Sequence, residues 1–273
     1  MAYKGKFHPK NPQKYAGDPN YMPFESFDFN GKYVGLVSEH LAFIEENLGI
    51  KFDILKTKSW QETLDYVQSN KVDMFSNYVG IKEFSATHFT TPLDIKSPIV
   101  VVGKRDKNQE FIVSVSQLKG KKIAVIKDYF YLKEIYNQFP NLNYIEVPNA
   151  QTALNGVSLG IYDVALCSLT VATYNIAQGL SNIEIIGKTD TFMQLGFSVK
   201  KDYEIFSKII EKVLIHHSSK EFDRIIKDWE KVTKGSGLNW EFIYKIVIII
   251  VFFVIFNSFY FKCSGQVLTQ ITS

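Results

Sequence analysis

Short apolar runs alternate with helix-patterned segments twice along this chain, which restricts it to an α/β fold. In the first run, residues 14–17 predict a strand. Leu41, Ile44 and Leu48 recur at helical spacing, and Gly49 is placed to end that helix in the left-handed conformation. Ile50, Phe52 and Ile54 alternate with polar residues as a strand does. Ser59-Trp-Gln-Glu62 is a capping-box signature for a helix with Trp60, Leu64 and Val67 on one face. Residues 72–75 and 99–102 read as strands. In the second run, strands are expected at 122–126, 144–147, 162–166, 183–186 and 195–199. Helices are expected at 129–139, 150–159 (capped by Asn149 and ended by Gly160) and 170–178. Two further helices, 203–215 and 219–232, follow, the second with Phe222, Ile225, Ile226 and Trp229 on its buried face.

Between the first strand and first helix lies Asp18-Pro-Asn-Tyr-Met-Pro-Phe-Glu-Ser-Phe-Asp-Phe-Asn-Gly-Lys-Tyr-Val-Gly35. Pro19 and Pro23 forbid helix there, and Asn30-Gly31, with Phe29 before it and Tyr33 and Val34 after it, is a two-residue hairpin signal. The rings of Tyr21 and Phe24 on such a loop either edge a ligand cleft or fill a core.

The chain has 273 residues, enough for one large domain or two lobes, and 46% are hydrophobic and 22% charged. With a net charge of +3 and scattered lysines, nothing points to nucleic acid. The two cysteines, Cys167 and Cys263, have no metal-ligand spacing, and His8, His40, His88, His216 and His217 form no catalytic pattern. No enzyme activity and no cofactor are expected. Residues 242–261 carry one charge, Lys245, over a length that covers a bilayer core, with Trp240, Tyr244 and Tyr260 at interfacial positions. This predicts a transmembrane helix at 242–262, preceded by a flexible linker at 234–241 containing Lys234-Gly-Ser-Gly237 and followed by a tail, 263–273. Residues 1–12 read as a loose tail without a signal peptide. Lys231, Lys234 and Lys245 on one side against Lys262 on the other weakly favour a cytoplasmic globular domain.

Several segments together resemble the bacterial family 3 extracellular solute-binding proteins. They are Asp18-Pro-Asn-Tyr-Met-Pro-Phe24, Asn30-Gly-Lys-Tyr-Val-Gly35, Trp60, Val72-Asp73, Phe89-Thr-Thr-Pro92, Leu118-Lys-Gly-Lys-Lys-Ile-Ala-Val125, Ala153-Leu154, Gly160-Ile-Tyr-Asp163, Gly196-Phe-Ser-Val-Lys-Lys-Asp202 and Trp229. The likeness extends over residues 13–233 and is strongest to the Venus-flytrap domains of membrane sensor kinases and diguanylate cyclases. It implies a two-lobed periplasmic-binding-protein-like α/β fold. The first lobe would be 13–102 with 193–233 and the second 103–192, with crossovers near 102–104 and 187–192 and ligand between the lobes. It also implies a single-pass protein of the cytoplasmic membrane with the binding domain in the periplasm, against the lysine bias. An export signal and an output domain would then be missing, as in a truncated chain.

Amino-acid-binding members of that family grip a zwitterion with an arginine in the first lobe and an aspartate in the second. At the first position this chain has Val79-Gly-Ile-Lys-Glu-Phe84, where Lys82 is the nearest cation; it is either a ligand contact or a solvated lysine. At the second, Asp163 plus five is the neutral Ser168. Asp128, in Lys127-Asp-Tyr129, replaces the family's Gly-Thr pair and would disfavour an anion, or serve as a helix N-cap alone. Tyr21, Phe24, Tyr78 and Tyr129 either form aromatic cleft walls or pack in the core.

The expected function is that of an extracytoplasmic sensor domain binding a small molecule that is not a typical α-amino acid. Closure would bias Trp229's helix and, through Gly235 to Gly237, the membrane helix, toward an output partner or a homodimer. The alternative is the tethered solute-capture component of an uptake transporter.

Overall fold

The computed structural model of the chain describes residues 13–106, 108 and 110–216. The expected N-terminal tail, the helix at 219–232, the linker and the apolar segment at 242–262 lie outside those residues. By internal contacts the chain divides into two compact units, Met1–Thr233 and Lys234–Ser273, and every described residue belongs to the first.

Local sequence signals explain most of the elements. The strand β1 (Gln13–Ala16) leads into a small antiparallel sheet of β2 (Asn20–Tyr21), β3 (Glu25–Phe27) and β4 (Tyr33–Val34). The β3–β4 connection is a hairpin as expected, but not the two-residue one: it runs from Asp28 to Lys32, with Phe29 exposed in the turn, because the Asp28 carboxylate accepts from the backbone N–H groups of Asn30 and Lys32 and so widens the loop, while Gly31 takes φ +79°. Helix α1 (Leu36–Leu48) ends at Gly49 in the left-handed conformation, φ 63°. After β5 (Phe52–Ile54), α2 (Trp60–Gln68) begins at Ser59, whose hydroxyl accepts from the Glu62 N–H at 3.2 Å. Then come β6 (Met74–Tyr78), β7 (His88–Lys104), a 3-10 turn at Val115–Leu118 and β8 (Lys122–Ile126). They are followed by α3 (Leu132–Gln138), β9 (Asn143–Val147), α4 (Ala150–Leu159), β10 (Val164–Ser168), α5 (Leu169–Ala177), β11 (Ile183–Lys200) and α6 (Glu204–His216). Among the described residues, no helix is long and apolar enough to cross a membrane.

The sheet order is β5-β1-β6-β11-β7-β10-β8-β9, and β7 and β11 run through both halves. In the first lobe β11 is central, with Leu195–Val199 paired to β6 and Gly196–Lys200 to the first part of β7. In the second lobe β7 is central, with Ile99–Gly103 paired to β10 and Val100–Lys104 to the first part of β11. Burial follows this exchange of roles. Residues 91–97 of β7 alternate buried with exposed, as an edge strand does, whereas 99–103 are buried without a break. Pro92 has no N–H to give and sits where β7 is an edge.

The first crossover was expected near 102–104. The change of partners on β7 instead falls at Pro98, because the β-branched run from Ile99 to Val102 is the centre of the second lobe's sheet. On β11 the register breaks between Lys188 and Phe192, within the expected range. Thr189 fills that break. Its hydroxyl donates to the Ile99 carbonyl at 2.9 Å and accepts from the Thr191 N–H at 3.1 Å. The helix expected from Tyr129 begins only at Leu132, and Asp128 is not its N-cap: Asp128 lies at φ +59°, and Tyr131 holds the cap position.

Thr189→Val keeps the shape of this buried residue but orphans a carbonyl and an N–H. Urea denaturation should show a loss of about 1–3 kcal/mol. A change below about 0.5 kcal/mol would mean that Thr189 does not hold the crossover.

Candidate functional site: a cleft closed by the second lobe's own tyrosine

Four segments meet between the lobes: the loop from Asp18 to Glu25, the start of α2, the end of β6 with Ser76-Asn77-Tyr78, and the connection from Lys127 to Tyr131. The first three belong to the first lobe and the fourth to the second. Met193 and Leu195, just past the β11 break, form the floor.

Glu25 anchors the first-lobe side. It is 2% exposed. One carboxylate oxygen accepts from the Ser76 hydroxyl at 2.5 Å and the Asp18 N–H at 3.0 Å; the other accepts from Tyr15 at 3.2 Å and from Tyr33. Burial pushes its carboxyl up to about 7 despite these donors. Asp18, held by that bond, turns its Oδ1 back to the Asn20 N–H at 2.8 Å. Its Oδ2 accepts from the Tyr129 hydroxyl of the second lobe at 2.5 Å. Asp18 is also buried, and desolvation raises its carboxyl to about 6.

Around this bond the rings pack edge to face. Tyr129 meets Tyr21 with centroids 5.0 Å apart, Tyr131 at 5.5 Å and Trp60 at 6.4 Å. The Tyr21 and Tyr131 hydroxyls lie close to each other and Tyr21's lies close to Ser168, without hydrogen-bond geometry. Two further bonds cross the cleft at its mouth: Trp60 Nε1 donates to the Asp128 carbonyl at 3.1 Å and Gln61 Nε2 to the Lys127 carbonyl at 3.2 Å. Lys133 pairs with Glu83 outside, where both are solvated and the pair adds little. What the side chains leave is a cavity of about 40 Å³, room for a couple of water molecules. Among the described residues lining it, none is Lys, Arg or His.

Of the residues singled out from sequence, Tyr21, Tyr78, Asp128 and Tyr129 line this cavity. Asp128 contributes to the closure through its carbonyl. Phe24 lies behind Tyr21, centroids 4.9 Å apart, in the core of the first lobe. Ser168 is fully buried and caps α5, accepting from the Val171 N–H at 3.4 Å. Lys82 is exposed and lines an outer groove with Tyr78, Glu83 and Glu134. Asp18, Glu25, Trp60, Ser76, Asn77 and Tyr131 were not singled out as ligand contacts from sequence. The Asp-Pro pair at 18–19 and the Trp60 capping box mark where the chain turns, but only tertiary burial shows that the two carboxylates face inward.

Two lobes sharing two long strands around an aromatic cleft define a binding domain of the periplasmic-binding-protein type. The family is shown by sequence: residues 14–232 match the bacterial extracellular solute-binding proteins, family 3, and the chain belongs to that family. A curated relative is the Virulence sensor protein BvgS of Bordetella pertussis, 22% identical over 230 residues. That alignment covers 82% of this chain but only 18% of BvgS, so the chain spans about a fifth of that relative's length. The L-cystine-binding protein TcyJ of Escherichia coli is 22% identical over 196 residues, 71% of this chain and 73% of TcyJ. A crystal structure of a histidine kinase sensor domain similar to periplasmic binding proteins superposes with a TM-score of 0.73 at 20% identity, over 81% of this chain and 96% of the other.

The raised carboxyls give a signed pH dependence. A proton is held more firmly in the folded state by Asp18 and Glu25 than in the unfolded chain. Their contribution is therefore fully present below the ordinary carboxyl range and is lost as pH rises through about 6 and 7. His88, lowered to about 4 by burial and by Lys200, acts oppositely as pH falls below the ordinary imidazole range. Comparing Asp18→Asn with the parent cancels His88. The melting temperature of the variant relative to the parent should rise between pH 5 and pH 8. A difference that is flat with pH would show that Asp18 is not a strained, desolvated carboxylate.

Proposed function

We propose that the chain is the periplasmic ligand-sensing module of a single-pass membrane signalling receptor, with a small molecule that is not a typical α-amino acid bound between its lobes. The observation that carries this reading is the Tyr129–Asp18 bond, which joins the second lobe to the first with no cation among the described residues of the cavity lining. In this reading a residue of the second lobe sits where a ligand would join the lobes, and a small number of contacts sets the balance between closed and open forms. Such a domain reports a ligand by a change in lobe closure rather than by accumulating it. Family membership and the likeness to BvgS, a sensor by name, support the signalling role. The apolar segment at 242–262 supplies the anchor in this reading, and closure reaches it through Trp229 and the linker at 234–241. The output partner is a separate domain or a second copy of the chain. We assign no catalysis to the cleft.

The second reading is a tethered solute-capture component of an uptake transporter, supported by the likeness to TcyJ, which binds L-cystine by name. A permease and an ATPase reading frame next to this one would favour it; a kinase or cyclase frame immediately downstream would favour the sensor.

Small-angle X-ray scattering tests the closure. Tyr129→Ala removes both the hydroxyl on Asp18 and the ring between Tyr21 and Tyr131, and should increase the radius of gyration relative to the parent at neutral pH. An unchanged radius in a folded variant would mean that Tyr129 does not hold the lobes together.

A further inference from the structure

We infer that the cleft recognises a small organic cation lacking a carboxylate, which takes the place of the Tyr129 hydroxyl on Asp18. This rests on the reading of the cleft as a ligand site and names the chemistry of its ligand.

Asp18 Oδ1 is occupied by the Asn20 N–H, and Oδ2 is directed across the cleft to Tyr129. Glu25 lies behind it with both oxygens engaged, so it contributes negative potential without offering a free acceptor. Among the described residues lining the cavity there is no cation to balance either group. A phenol satisfies Asp18 as a hydrogen-bond donor but leaves its charge uncompensated in a buried site. An ammonium would supply both the donor and the charge.

The walls agree with this polarity. Tyr21, Trp60 and Tyr131 surround the position of the Tyr129 ring, and aromatic rings attract cations through their electron-rich faces. An anionic group is disfavoured for the same reasons. It would enter beside Asp18 and Glu25, and Lys82, the nearby lysine, faces the outer groove beside Glu83 and Glu134 instead. A zwitterion would bury an unpaired carboxylate. With Tyr129 swung out, the space available is the small cavity plus that of a phenol ring, which suits a compact amine rather than a large one.

The test uses the full chain, with calorimetry and thermal melting against two sets of probes. The cations are butylammonium, 1,4-diaminobutane and choline; the controls are butanoate, 1-butanol and 4-aminobutanoate. At least one cation should bind more tightly than every control. Asp18→Asn should weaken that cation about tenfold or more. Tyr129→Phe keeps the ring and removes the competing hydroxyl, so it should tighten the cation several-fold, a gain that a merely structural role for Tyr129 would not give. The inference is overturned if butanoate or 4-aminobutanoate binds best, if Asp18→Asn leaves the cation's affinity unchanged, or if no cation binds either the parent or Tyr129→Phe. Binding by an anionic, neutral or zwitterionic control that is lost on Trp60→Ala would overturn the cation while keeping the cleft as the ligand site. A failure of Tyr129→Ala to open the lobes would instead count against the closure reading.

Discussion

The hydrogen bond from Tyr129 to Asp18 joins the two lobes inside the cleft, and the proposed sensing mechanism depends on it. At 2.5 Å it joins a phenol of the second lobe to a carboxylate of the first, and both residues are buried. Such a charge-assisted bond in a buried site is strong once made, yet bringing Asp18 out of water is unfavourable, and the same burial raises its carboxyl to about 6. The two effects oppose each other. In the proposed sensing mechanism these opposing effects leave the closed form poised rather than locked, so that a few contacts at the cleft move the balance.

The proposed closure needs a frame on which the lobes could move as bodies, and the two long strands are the shared elements that would supply it. Each is central in one lobe and an edge in the other, so each lobe has a continuous hydrogen-bonded sheet up to the crossover. At the crossover the ladder is interrupted: Pro98 has no donor, β11 breaks register, and the Thr189 side chain replaces main-chain partners. Bending there disturbs few backbone bonds. Met193 and Leu195 follow directly on β11 and line the cavity, which places the pivot beside the site.

Much of the fold was legible because its signals are local. The Gly49 and Gly160 helix ends and the Ser59 and Asn149 caps depend on a few adjacent residues, and the structure has each of them; a hairpin also forms around Asn30-Gly31, though with a five-residue connection rather than a two-residue one. The first crossover was misplaced because an unbroken β-branched run looks the same whether it ends one lobe or forms the centre of the next. The segment after β8 was misread for a related reason. Tyr129, Phe130 and Tyr131 suit a helix start locally, but the Asp128 carbonyl is bonded to Trp60 and the three rings pack against Trp60, Phe84 and Tyr78 of the other lobe. The two inward carboxylates were invisible for the strongest reason: Asp18 and Glu25 look like ordinary loop acids until four separate segments close over them.

The central claim is that Asp18 and Tyr129 stabilise the closed form through each other, and a double-mutant cycle with Asp18→Asn and Tyr129→Phe measures that directly by chemical denaturation. The account predicts a coupling energy of about 1.5–3 kcal/mol, the range for a hydrogen bond to a charged group. Additive effects, with a coupling within about 0.3–0.5 kcal/mol of zero, would contradict it.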